Sequence, residues 1–245
     1  MSAHADAIIT AGLRPELFAG RGVLANSKTL VFAALIVLVI AGFGFRVNGL
    51  SAEGLSEDEL NKLNAVADYR ANGLTGANGE HPMLMKAFQA ASIILAEKFN
   101  GIAPETALRL PNALVGALTT ILIFLIASEL FGTEVALIAA ALWAFDPSAI
   151  GLNRIAKEDS FLVFFFLLAN VFWLRGQRAA ESSDRSPNKY YWLTAASYGA
   201  MVASKYVPHL FAISLCYYWM FQNLPETRWR LGKKRIITFF AIMGL

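Results

Sequence analysis

The sequence predicts an all-α fold: a polytopic membrane helix bundle of about seven spans, with amphipathic surface helices in its first outer loop. Three observations predict it. Of 245 residues, 56% are hydrophobic and only 16% charged, with mean hydropathy +0.49, whereas a soluble domain is about half apolar and a quarter charged. The surplus falls in discrete apolar runs, more than one soluble core would bury. Lys and Arg concentrate in alternate connections, the pattern left by retention of positive charge on the cytoplasmic side. This composition argues against an ordinary cytosolic domain, a disordered chain and a nucleic-acid binder. The single cysteine, Cys216, excludes an internal disulfide and a cysteine-based metal cluster.

Residues 1–28 read as a polar cytoplasmic tail and residues 29–245 as the transmembrane domain, with an outer loop over 46–109. The first run, 29–45, is uncharged and ends at Arg46 without a small-residue cleavage pattern, which reads as a retained signal-anchor. Further runs lie at 110–128, 135–152, 161–174, 190–204, 207–222 and from Ile236 onward. Those at 161–174 and 190–204 are shorter than the roughly 20 residues a span needs and must borrow polar flanks. The last run is cut after ten residues, so the sequence reads as the front part of a longer membrane protein.

An inside N-terminus puts Arg14, Arg21, Lys28, Arg175, Arg178, Arg185, Lys189, Arg228, Arg230, Lys233, Lys234 and Arg235 on the inner side. The inner parts then carry 12 basic and 7 acidic residues, the outer parts 9 and 11, and the slight net charge of +3 is a topology signal. An integral protein of the plasma (inner) membrane is expected.

The first outer loop is too long to be a mere connector. Ser56 followed by Glu59 forms a capping box, with Leu60, Leu63 and Ala67 as the apolar face of a helix. A second helix over 83–99 repeats Leu84, Ala87, Phe88, Ala91, Ile94 and Leu95 at threes and fours, with Lys86, Gln89, Glu97 and Lys98 elsewhere. That pattern suits a helix lying on a membrane surface. Between them ANGLTGANGEHP is turn-rich. The second outer connection, DPSAIGLNRIAKEDS, brings Asp146, Arg154, Lys157, Glu158 and Asp159 to the same boundary. Grouped charges there are either solvated or directed at a ligand. Trp173, Tyr190, Tyr191, Trp192, Tyr217, Tyr218 and Trp219 sit near span ends and read as an interfacial belt.

Five pieces in order carry a resemblance: Asp58-Glu59, HPMLMK (81–86), LRLPNALVGAL (108–118), NRIAKEDSFLVFF (153–165) and ASKY (203–206). Together they resemble the polyprenyl-phosphate-sugar glycosyltransferases of the GT-C class, most nearly the protein O-mannosyltransferase group, glycosyltransferase family 39. HPMLMK departs from the family's HPPLGK in lacking the second Pro and the Gly, and KEDS has Lys157-Glu158 where an apolar pair is usual. Members are about twice this length, which implies a missing C-terminal portion or a partner subunit.

The resemblance implies transfer of a sugar, mannose by the nearest likeness, from a polyprenyl-phosphate donor to a protein Ser/Thr hydroxyl with inversion. An acceptor hydroxyl needs a carboxylate to take its proton, and the departing phosphate needs cations. By resemblance Asp58 is the base; its other reading is a first-turn acid that favours the helix dipole. Glu59 shares the catalytic assignment, although its capping box explains it equally well. Asp159 orients the acceptor or supports the base, or caps a helix; the family's second acidic position is Asp159, Glu158 or both. Lys86 and Arg109 match positions associated with the lipid phosphate, and Arg154 and Lys205 are further cations, all four open to simple interfacial snorkelling. His81 donates to phosphate or sugar, or serves a turn. No cofactor is expected, and metal-ligand spacing and a phosphate-binding Gly-rich loop are absent from the sequence. The alternatives are transfer to a lipid or envelope glycan, and a non-catalytic lipid-binding or assembly component. A transporter would place its charges at mid-membrane instead.

Overall fold

The computed structural model describes residues 28–73, 75–99, 101–181, 186–207 and 209–221. Among these the regular structure is all helix: α1 (Lys28–Val47), α2 (Glu57–Asn72), α3 (Met83–Ala96), α4 (Pro104–Phe131), α5 (Thr133–Phe145), α6 (Pro147–Asn153), α7 (Asp159–Glu181), α8 (Asn188–Val202) and α9 (His209–Phe221). The expected last span from Ile236, and Arg14, Arg21, Arg185, Arg228, Arg230, Lys233, Lys234 and Arg235, lie outside the described residues.

Helices α1, α4 and α7 are long and apolar enough to cross a membrane, and α5 with α6 counts as a fourth span broken by a 57° bend. Helices α8 and α9 occupy two of the expected runs but have only 15 and 13 residues. By length and composition the described residues therefore supply three or four spans, against about seven expected. Helix α4 begins earlier than its apolar run, because Pro104 sits in its first turn where no N–H is needed and Glu105 complements the helix dipole. It ends at Gly132, whose φ of 92° few other residues adopt.

The α5–α6 break has a local cause. The Asp146 side chain accepts a 2.6 Å bond from the Ala149 N–H, starting a new helix at Pro147. Pro147 has no N–H to give the Trp143 carbonyl four residues back. Arg46, fully buried at the end of α1, supplies that partner: its guanidinium donates to the Trp143 carbonyl (3.1 Å), the Ala144 carbonyl (3.1 Å), the Gly42 carbonyl (2.9 Å) and Asn153 Oδ1 (3.0 Å).

Small residues let the helices approach closely, as membrane packing requires. Buried Ala113 and Ala117 of α4, Ala136, Ala140 and Ala144 of α5, and Gly42 of α1 line these contacts. A second core joins α7, α8 and α9 through Leu162, Ala169, Trp173, Met201, Phe211 and Leu215. Trp173 is buried there with its ring 5.5 Å from Tyr191, so these two serve the core instead of the interfacial belt. Trp192, 77% exposed, keeps the belt reading.

The two helices expected between the first two apolar runs form where expected. On α2 the buried side chains are Glu59, Lys62, Ala65 and Val66, while Leu60 is exposed. On α3 they are Met85, Lys86 and Gln89, while Phe88, Ile94 and Leu95 are exposed. Helix α3 turns Phe88, Ile94 and Leu95 outward, an arrangement favoured where the surroundings are lipid, whereas α2 exposes Glu57, Asp58, Asn61, Asn64 and Arg70 as well as Leu60.

Gly116 marks the tightest approach. A Cβ there would lie 2.3 Å from Asn153 Cγ and 2.6 Å from its Cβ. Gly116→Ala is therefore expected to destabilise the fold by about 1–3 kcal/mol, read as a lower melting temperature in detergent; an unchanged melting temperature would contradict the packing.

Candidate active site

Every candidate residue lies at one end of the bundle, because α2, the N-termini of α4 and α7 and the C-terminus of α8 meet there. The geometry starts with Ser56, whose hydroxyl accepts from the Glu59 N–H while the Ser56 N–H donates to Glu59 Oε2 at 3.0 Å. This reciprocal cap fixes the first turn of α2, and with it the directions of Asp58 and Glu59.

Glu59 is 1% exposed and pairs with Arg109 of α4 through two parallel bonds, Nε to Oε1 at 2.7 Å and Nη2 to Oε2 at 2.8 Å. The Ala156 N–H donates to the same carboxylate at 2.9 Å. Arg109 spends its remaining donors on the Leu50, Glu53 and Gly54 carbonyls at 2.6, 2.9 and 2.9 Å. A guanidinium has five donors, and here all five are engaged. Burial alone would raise the Glu59 carboxyl, but the bonds from Arg109, Ala156 and Ser56 outweigh it and hold the group at about 2.

Asp58, one residue earlier, points the other way. Its side chain is 48% exposed and lies 3.4 Å from Lys157 Nζ and 3.9 Å from Lys62 Nζ. The Lys62 charge, followed by Lys157, holds the Asp58 carboxyl below the ordinary range despite some desolvation, so it is ionised at neutral pH. Lys62 is fully buried and also lies 3.3 Å from Glu158 Oε1. Glu158 is buried too, and that oxygen, 3.7 Å from His81 Nδ1, is close to both nitrogens without an aligned hydrogen bond. The side-chain amide of Asn112 donates to the Lys157 carbonyl at 2.6 Å, tying this segment to α4.

Lys86 is 1% exposed beneath the Gly-rich turn. Its ammonium donates to the Asn78 carbonyl (2.6 Å), the His81 carbonyl (3.0 Å) and the Tyr69 hydroxyl (3.2 Å), and burial lowers its affinity for the proton. The Tyr69 hydroxyl in turn donates to the Ala77 carbonyl. Asn78 holds a φ of 49°, a conformation Asn tolerates. Arg154 donates to the Phe45 and Gly49 carbonyls at 3.2 and 3.1 Å, closing the end of α1. Asp159 and Lys205 pair at 2.6 Å, both partly exposed, and the Leu84 N–H donates to the Ala203 carbonyl at 3.1 Å, joining this pair's neighbourhood to the His-Pro turn.

The structure thus brings Asp58, Glu59, His81, Arg109 and Glu158 together and adds Lys62 and Lys157. It places Asp159 with Lys205 beside them, Lys86 under the turn and Arg154 against α1. Lys62 escaped the sequence reading although it stands four residues after Asp58 and three after Glu59, the spacing of one helix face. The groups that solvent, and hence a ligand, reaches are Asp58, Lys157, His81, Asp159 and Lys205. Among the described residues no three His, Cys, Asp or Glu side chains converge to hold a metal ion.

An apolar helix bundle whose candidate residues gather as a charged cluster at one end is an integral membrane protein. A family model described as dolichyl-phosphate-mannose-protein mannosyltransferase matches residues 80–245. That is well over half of the chain, and the chain belongs to this family of membrane glycosyltransferases of the mannosyltransferase type. No curated protein matches it. The matched stretch includes His81, Lys86, Arg109, Arg154, Glu158, Asp159 and Lys205; α1 and the Asp58-Glu59 pair precede it.

The Glu59 carboxyl is depressed from 4.5 to about 2, so its contribution is fully present above about pH 4.5 and lost as pH falls towards 2. The difference corresponds to ~3 kcal/mol. Melting temperature in detergent is expected to fall across this window for the wild type. Glu59→Gln should melt lower at neutral pH and show a much flatter profile; an equally steep profile would remove Glu59 as the cause.

Proposed function

We propose that this chain forms the donor-binding and catalytic end of a membrane-embedded, inverting glycosyltransferase. It moves mannose from a polyprenyl-phosphate to a protein Ser/Thr hydroxyl on the outer face of the plasma (inner) membrane, with its N-terminus in the cytoplasm. The family supports the reaction class, and the basic inner and acidic outer loops support the orientation.

The observation that carries the reading is the setting of Asp58: a reachable, ionised carboxylate flanked by two lysines at the bundle end. Asp58 takes the proton of the attacking hydroxyl as the oxygen reaches the anomeric carbon from the side opposite the phosphate. One base suffices for inversion. The departing phosphate gathers negative charge, which Lys157 meets directly and Lys62 from beneath. His81 and Glu158, adjoining Lys62, orient sugar or phosphate hydrogen bonds. Lys205, held by Asp159 at the rim, is a further phosphate contact, and Asp159 faces the acceptor.

Arg109, Lys86, Arg154 and Glu59 act one step back. Their donors and acceptors are committed to protein partners, so they hold the loop, the turn and the pre-α7 segment in place. This is positioning for the transferred group.

The test is transfer of labelled mannose from polyprenyl-phosphate-mannose to a membrane-impermeant Ser/Thr peptide outside sealed right-side-out vesicles. Asp58→Asn is expected to lower kcat by about 10²–10⁴-fold with donor binding retained. Transfer by Asp58→Asn at the wild-type rate would sink the base assignment, and transfer only from the cytoplasmic side would sink the orientation.

A further inference from the structure

The opposite end of the bundle holds a pocket of about 550 Å³ between α4, α7 and the start of α8, within the size range of ligand sites. Its rim is polar: Arg175 and Arg178 of α7, Glu129 of α4 and Tyr190 of α8. Its wall continues as Leu125 and Leu174, one turn nearer the bundle centre. Helix rise fixes its depth. From Arg109 to Glu129 along α4, and from Asp159 to Arg178 along α7, is in each case about 30 Å. That equals the thickness of a hydrocarbon layer. The pocket therefore opens at the other membrane surface from the candidate active site.

We infer that this pocket binds the phosphate headgroup of an anionic glycerophospholipid in that leaflet. Arg178 lies 2.6 Å from Glu129, so that carboxylate is already matched. Arg175 is exposed and makes no ion pair among the described residues. It supplies an uncompensated guanidinium beside a matched one, the geometry that holds phosphate oxygens through paired donors. The Lys189 ammonium, 4.9 Å from the centre of the Tyr190 ring, adds positive charge nearby. A choline headgroup would set its own cation against these groups. A soluble phosphate would leave the partly exposed Leu125 and Ile126 against water, whereas acyl chains cover them. Basic pockets between membrane helices select anionic lipids on this physical ground.

The test is the thermal unfolding of the purified full chain in detergent as lipid is added. Phosphatidylglycerol is expected to raise the melting temperature, while phosphatidylcholine and glycerol 3-phosphate leave it unchanged. Arg175→Gln removes an exposed side chain and should fold as the wild type does, with about tenfold weaker response to phosphatidylglycerol. Leu125→Trp, which fills the apolar wall, should blunt the same response. Equal shifts with phosphatidylcholine, a full phosphatidylglycerol response in Arg175→Gln, or a shift produced by glycerol 3-phosphate alone would each overturn the assignment.

Discussion

The ion pair between Glu59 and Arg109 ties together four stretches of chain. Arg109 belongs to a membrane-spanning helix; Glu59 to the first turn of an outer helix. The carbonyls of Leu50, Glu53 and Gly54 come from the connection out of α1, and the Ala156 N–H from the segment before α7. A buried pair of this kind is stabilising only when its remaining donors and acceptors are satisfied, since desolvating two charges costs several kcal/mol. Here the guanidinium is saturated and the carboxylate takes five donors from Arg109, Ala156 and Ser56. Asp58 and Lys157 sit one residue beyond Glu59 and Ala156, so the same bonds bring the proposed base and its cation within 3.4 Å of each other.

A common constraint shapes the rest of this end of the bundle. Helix ends and breaks leave carbonyls without partners, and lipid offers none. Arginines fill the role: Arg46 at the α5–α6 break, Arg154 at the end of α1 and Arg109 over the loop after it. Lys86 does the same for the Gly-rich turn. Charges that a resemblance alone would send to the lipid phosphate are held instead by the backbone. Lys157, partly exposed beside Asp58, bonds no backbone carbonyl among the described residues, and Lys62 is buried against Glu158 with only a 3.4 Å bond to the Asp58 carbonyl.

Much of this was legible in the sequence, for physical reasons. The capping box at Ser56 is a local signal, and it formed as read. The apolar runs at 29–45 and 110–128 became α1 and α4, and the short run at 161–174 became α7 by taking in polar flanks from Asp159 to Glu181, because hydrophobic length is a nearly one-dimensional property. The apolar positions Leu60, Leu63 and Ala67 of α2 stay partly or fully exposed, because Glu59 and Lys62 turn inward to pair with Arg109 and Glu158, while the exposed Phe88, Ile94 and Leu95 of α3 fit the surface helix that its pattern suggests. The apolar run at 135–152 holds Asp146-Pro147, a helix-start signature, and the chain bends there. Arg46 reads in the sequence only as the end of the first apolar run, and Lys62 carries no assignment there. Their roles depend on pairings across about 100 residues of chain for Arg46 and Glu158 for Lys62, which no local pattern announces.

The dependence of this end on the Glu59–Arg109 pair is measured most directly by a double-mutant cycle. Glu59→Gln, Arg109→Gln and the double variant are compared with the wild type for unfolding free energy in detergent. A coupling energy of about 2–3 kcal/mol, with each single variant nearly as damaging as the double, is the expected result. Additivity within about 0.5 kcal/mol would show that the two side chains act independently and that the outer end is held by something else.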